Sequence, residues 1–160
     1  MSAEITNETE HAVDLQQVED LVAHVVAAMH LHPGVEVYVR FIPDEAMEDL
    51  HVQWMDLEGT TDVMSFPMDE LTPGDESTEG ILGDIVISPV VAAEQARAAG
   101  HSTMDEILLL TTHGLLHLMG YDHEEPEEKT EMFGLQRHLL LTWFAEREPG
   151  RTDLPAPTED

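Results

Sequence analysis

The chain has 160 residues, enough for one domain whose single core buries roughly 70% of the surface that the unfolded form would expose. It has no cysteine, which excludes disulfides and thiolate metal sites and leaves histidine, aspartate and glutamate as the strong metal ligands. Thirty-four acidic residues against six basic ones give a formal charge of −28. That balance disfavours tight nucleic-acid binding through phosphate contacts alone, and fits either a solubilising surface or a docking face for a strongly basic protein.

The start, MSAEITNETEHAVD, has neither a basic segment nor a continuous apolar run, and the apolar stretches at 21–29 and 107–119 are too short and too polar to span a bilayer. A soluble cytoplasmic protein with no membrane partner is the expectation. EITNE (4–8) is a candidate edge strand. Leu15, Val18, Val22, Val25 and Met29 then recur at helical spacing, predicting an amphipathic helix over 13–31 that is ended by His32-Pro33-Gly34. Its His24 and His30 are six apart, about 240° around the helix, and cannot share a ligand face.

VEVYVRFI (35–42) alternates with period two and predicts a strand, and Pro43-Asp44 starts a helix reaching Trp54. TDVMSFP (61–67) and GDIVIS (83–88) read as two further strands. The acidic, turn-rich MDELTPGDESTEG between them reads as a mobile hairpin connection. Ser88-Pro89 supplies a cap and a first-turn proline for a helix that Gly100 stops. Ser102 caps the next helix, with Asp105 and Glu106 in its first turn, and that helix runs to Met119. A last helix over 126–147 carries Met132, Leu135, Leu139 and Phe144 as a core stripe. These elements predict a single α+β domain, a small mixed sheet of about four strands packed by about five helices. The expected domain is 1–148, and the polar, proline-rich 149–160 is read as a disordered tail.

Chemistry concentrates at HGLLHLMGYDH (113–123). On a helix His113 and His117 are neighbours on one face, about 5–6 Å apart at Cβ, so both imidazoles reach one ion. Gly120 is placed to end the helix in a left-handed conformation and fold the chain back, which brings His123 toward the same ion. The H-x3-H-x2-G-x2-H spacing equals that of the long metzincin zinc motif. Three neutral nitrogens leave one open position on a tetrahedral ion, where water is acidified, so His113, His117 and His123 are expected to act through that water. Zinc is the first choice, although nickel or copper also accepts imidazoles. Peptidases with this spacing carry a glutamate base beside the first histidine, and here that position is Gly114.

HGLLHLMGYDH resembles the signature of the YbeY family of bacterial single-strand-specific endoribonucleases, which act in ribosomal RNA maturation and ribosome quality control. TDVMSFP (61–67), LGDIVIS (82–88), the run from Glu106 to Leu110 and Met132 are also similar to family residues, over about positions 4 to 145. The resemblance implies one zinc ion on His113, His117 and His123. It also implies hydrolysis of phosphodiester bonds in single-stranded RNA, with ribosomal particles as partners. Asp62 and Asp84 fall in the matched motifs, where each either orients a ligand or takes a proton, or serves as a strand-end or turn-forming carboxylate, the commoner role of Asp. Ser65 divides in the same way between phosphate contact and hydrogen bonding within the sheet. One departure stands out: the family's Tyr-Arg pair falls at Trp54-Met55, and Arg40, Arg97 and Arg137 have no evident place at the site. Two rivals stay open, a metal-stabilised assembly factor that binds basic ribosomal proteins and, less favoured, a zinc peptidase.

Overall fold

The computed structural model describes residues 2–55 and 61–156. Strand β1 (Ser2–Asn7) leads through helix α1 (Leu15–Ala28) to strand β2 (Glu36–Phe41), and the two strands pair in parallel from Ser2 opposite Glu36 to Asn7 opposite Phe41. Helix α2 (Asp44–Met55) is followed by the antiparallel strands β3 (Val63–Pro67) and β4 (Ile81–Ile87). Helices α3 (Pro89–Ala99), α4 (Thr103–Leu118) and α5 (Pro126–Arg147) complete the chain. The sheet order is β1-β2-β4-β3, with β2 parallel to β4, so β3 is an edge strand. A mixed four-stranded sheet with five helices among the described residues is the α+β domain that the sequence predicts.

Alternation decides which side of the sheet each residue serves. Val37, Val39 and Phe41 of β2 and Ile85 and Ile87 of β4 are fully buried in one cluster with residues of α1, α4 and α5. The other face is covered over β3 and β4 by α2, through Ile42, Met47, Met64 and Val86 with Leu50 and Phe66 beside them. Helix α4 is apolar almost all round because it lies inside the molecule, against β3, β4, α1, α3 and α5. Its buried Thr111 and Thr112 hydroxyls donate to the carbonyls of Ile107 and Leu108 at 2.8 and 3.0 Å, so their burial leaves no hydrogen bond unmade.

The caps at Ser88 and Ser102 form as expected, each side chain accepting a backbone N–H three residues on. Two readings are corrected. Helix α1 stops before the Pro-Gly pair: Asp14 caps its start, and His30 takes a left-handed φ of 54° while Leu31 N–H donates to Val26 O at 3.2 Å. The β3–β4 connection is anchored, not loose. Its Leu71 is buried in the main core, Gly74 N–H donates to Met29 O at 3.0 Å, and Asp69 accepts Ile81 N–H at 2.8 Å. Beyond α5, residues 149–156 carry no helix or strand, and Arg151 pairs with Asp105 at 2.6 Å over the ring of Phe144. No helix among the described residues is long and apolar enough to cross a membrane.

Candidate metal centre

One turn of α4 separates His113 from His117, and the helix ends where the sequence predicts. Gly120 adopts a φ of 98°, Gly120 N–H donates to His117 O at 3.0 Å, and Tyr121 N–H donates to Leu116 O at 3.0 Å. This paired closure is a Schellman turn, and glycine takes the left-handed position without a Cβ penalty. The chain then doubles back, with Asp122 accepting His123 N–H at 2.7 Å. The ring of His123 lies 5.2 Å from each of the other two imidazoles, centroid to centroid. Ligand nitrogens of His113, His117 and His123 all fall within 4.8 Å of one another, a group that could hold a metal ion.

The partners of the rings assign their protons. Nδ1 of His113 lies 2.9 Å from Oε1 of Gln136 on α5, and Nδ1 of His117 lies 2.9 Å from the carbonyl of Tyr121. Both acceptors call for a proton on Nδ1, which leaves a lone pair on each Nε2. Those two Nε2 atoms face each other at 3.0 Å. Facing lone pairs repel unless a cation stands between them, and two nitrogens of a tetrahedral zinc site are about 3.3 Å apart by the usual zinc–nitrogen length. Protonation is a poor substitute: burial, then the neighbouring His117, pushes His113 down to about 4, and burial lowers His117 as well. The donor set therefore fits a metal ion of the imidazole-binding kind.

The three rings open onto a cleft of about 610 Å³ whose opposite wall is formed by 61–67 and the end of α2. Asp62 belongs to this wall. Its Oδ1 accepts Val63 N–H at 2.7 Å, and its charge acts on His113. Ser65 donates to the carbonyl of Gly114 at 3.2 Å, a clasp between β3 and α4. Asp84 is not brought to the rings. Alternation along β4 points Ile85 at α4, so Asp84 faces the other side of the sheet beside Tyr38 and Arg40. Arg40 itself is paired with Glu8 at 2.7 Å. No Lys or Arg occurs among the described residues of the histidine cleft, and the Met55 side chain lies outside what is described.

Gly114 has a packing reason. A Cβ there would stand 3.0 Å from Ile85 Cγ2 and 3.2 Å from Ser65 Oγ, so any side chain beside His113 would crowd β3 and β4. Sequence reasoning missed three supports of the site: Gln136, the Tyr121 carbonyl and Phe133, whose ring lies 6.0 and 5.7 Å from those of His113 and His123. Gln136 left a signal, since it is a polar residue on the stripe formed by Met132, Leu139, Leu140 and Trp143, and it is 2% exposed.

Fold and site together define a small α+β protein with three imidazoles gathered at the mouth of a cleft. The family model described as Endoribonuclease YbeY matches residues 4–143, and the chain belongs to that family. Relatives named Endoribonuclease YbeY include one from Bifidobacterium adolescentis, 54% identical, covering 100% of this chain and 91% of the relative. Another, from Clavibacter michiganensis subsp. michiganensis, is 56% identical and covers 94% of this chain and 100% of the relative. A solution structure of a Thermotoga maritima protein is similar at a TM-score of 0.62, with 26% identity over 94% of this chain and 99% of that one.

Proposed function

We propose that this chain is a zinc-dependent endoribonuclease that hydrolyses phosphodiester bonds in single-stranded RNA. Its setting is the cytoplasm, in small-subunit ribosomal RNA maturation and ribosome quality control. The observation that carries the reading is the convergence of His113, His117 and His123 on an open cleft, in a chain of the Endoribonuclease YbeY family. Zinc, when bound, supplies a Lewis acid that polarises phosphate and acidifies water. Gln136 and the Tyr121 carbonyl keep the imidazole lone pairs turned inward, and Phe133 shields the rings from one side. Asp62 is the proposed proton acceptor: it is the carboxylate on the cleft wall opposite the rings, and its backbone hydrogen bond fixes its direction.

The peptidase reading loses support, since position 114 is glycine, packed close to Ile85 and Ser65, where such chemistry uses a glutamate. The assembly-factor reading keeps two observations in its favour, a charge of −28 suited to basic ribosomal proteins and Trp54-Met55 in place of the family's Tyr-Arg pair. Replacing any of the three histidines by alanine is expected to abolish zinc binding and RNA cleavage together, whereas Asp62→Asn should retain zinc and lose kcat by about 100-fold or more. Metal-loaded protein that leaves single-stranded RNA uncut, both free and on ribosomes, would refute the nuclease. Ribosome assembly that proceeds normally in cells carrying a folded, ligand-deficient variant would favour the assembly factor.

A further inference from the structure

The two tryptophans of the chain have opposite environments: Trp143 is 3% exposed in the core, while Trp54, at the end of α2, is 61% exposed on the wall of the histidine cleft. A bare indole of this size is an uncommon surface feature, and at a cleft it marks a contact site. Its direction is held. Phe66 of β3 meets it edge-on, with centroids 5.9 Å apart and planes at 72°, and Phe66 packs in turn against the cluster of Met64, Val86, Ile42 and Met47. The cleft offers phosphate no Lys or Arg among its described residues, and Asp62 and Asp122 line it. A polyanion entering here gains nothing from counterion release at the wall. Lys129, over the Phe133 ring at 5.5 Å, is the cation beside the rings, so much of the affinity must come from the metal at the scissile phosphate and from contacts to something other than phosphate.

We propose that Trp54 is the stacking platform for an unpaired nucleobase adjoining the bond that is cut, and that it sets the preference for single strands. The inference rests on the nuclease reading given above. A base inside a duplex already has both faces stacked and cannot lie on the indole, whereas an unpaired base can, whatever its identity. Trp54 is thus a specificity-determining residue, held in place by Phe66 and acting on the substrate away from the reacting atoms.

Three variants and two probes test this with metal-loaded protein. On a single-stranded oligoribonucleotide, Trp54→Ala should raise KM about tenfold. Its kcat should stay within about twofold of the parent. Trp54→Phe, which keeps an aromatic face, should stay within about threefold of the parent KM, and Trp54→Leu should resemble the alanine variant. Zinc content should be the same in all of them. A 2′-O-methyl strand of the same sequence should quench the indole emission of the parent and not that of Trp54→Phe, while the matching duplex should quench neither. Equal KM values for the parent and Trp54→Ala overturn the proposal. Quenching by the duplex, or by an unstructured apolar peptide in place of the strand, overturns it too. Failure of the nuclease reading looks different: the parent would leave RNA uncut while the 2′-O-methyl strand still quenched Trp54.

Discussion

His113 shows how much one half-buried imidazole can be biased before any ion arrives, because its Nδ1 is committed to Gln136 and its Nε2 faces that of His117 at 3.0 Å. Burial, followed by the charge of His117, lowers its pKa from 6.5 to about 4, so the fold prefers the neutral ring. The unfolded chain therefore binds more protons between those two values, and stability of the metal-free protein should fall as pH drops from 6.5 toward 4. Proton NMR of the metal-free protein should find the His113 midpoint near 4, and a midpoint near 6.5 would contradict this account of its surroundings. Gln136→Leu keeps the volume but removes the acceptor, and zinc affinity should fall about 10- to 100-fold in a competition titration. Gly114→Ala pushes a methyl into Ile85 and the Ser65 clasp, and should cost about 1–3 kcal/mol in denaturant unfolding. The three histidines could be picked out of the sequence because their spacing is local. The roles of Gln136 and Gly114 could not, since each depends on an element distant along the chain, α5 for one and the β3–β4 pair for the other.

At the scale of elements, the turn at Gly120 and the cap at Ser88 make a matched pair. Gly120→Ala places a Cβ at a φ of 98° and should cost about 1 kcal/mol, and it also disturbs the segment that returns His123 to the other rings. Ser88→Ala removes the acceptor of Val91 N–H at 3.2 Å, for a similar cost of about 1 kcal/mol. Thermal melts with and without zinc should separate them: both variants melt lower than the parent, and only Gly120→Ala loses part of the upward shift that zinc confers. An equal zinc shift in both would mean that the turn does not position His123. Caps and stops of this kind were legible because Ser-Pro, Ser and Gly punctuate the chain at α3 and α4. The stop of α1 was not, since His30 does there what glycine usually does. Nor was the anchoring of the β3–β4 connection, where a lone Leu71 in a polar stretch gives no periodic signal.

For the whole molecule, composition and alternation indicated an α+β domain, but strand order was not readable. The pairing of β2 with β4 and the edge position of β3 depend on chain crossings rather than on any residue pattern. That topology is what sets the 61–67 wall opposite the end of α4 and sends Asp84 to the far face. Charge acts at the same scale. Of the six cations, Arg40, Arg147 and Arg151 are tied up in ion pairs, and of Arg97, Lys129 and Arg137 only Lys129 lies beside the rings, over Phe133, so RNA affinity should depend only weakly on salt, with a log–log slope of about 1 in magnitude. A slope several times steeper would place a basic surface where none is described. The central claim, one ion held by three imidazoles, is tested most directly by X-ray absorption at the zinc edge on the purified protein and on His123→Ala. The parent should hold one zinc per chain with three imidazole nitrogens at about 2.0–2.1 Å, and the variant should lose it. A parent that holds no stoichiometric zinc, or a spectrum unchanged by removing His123, would contradict the account.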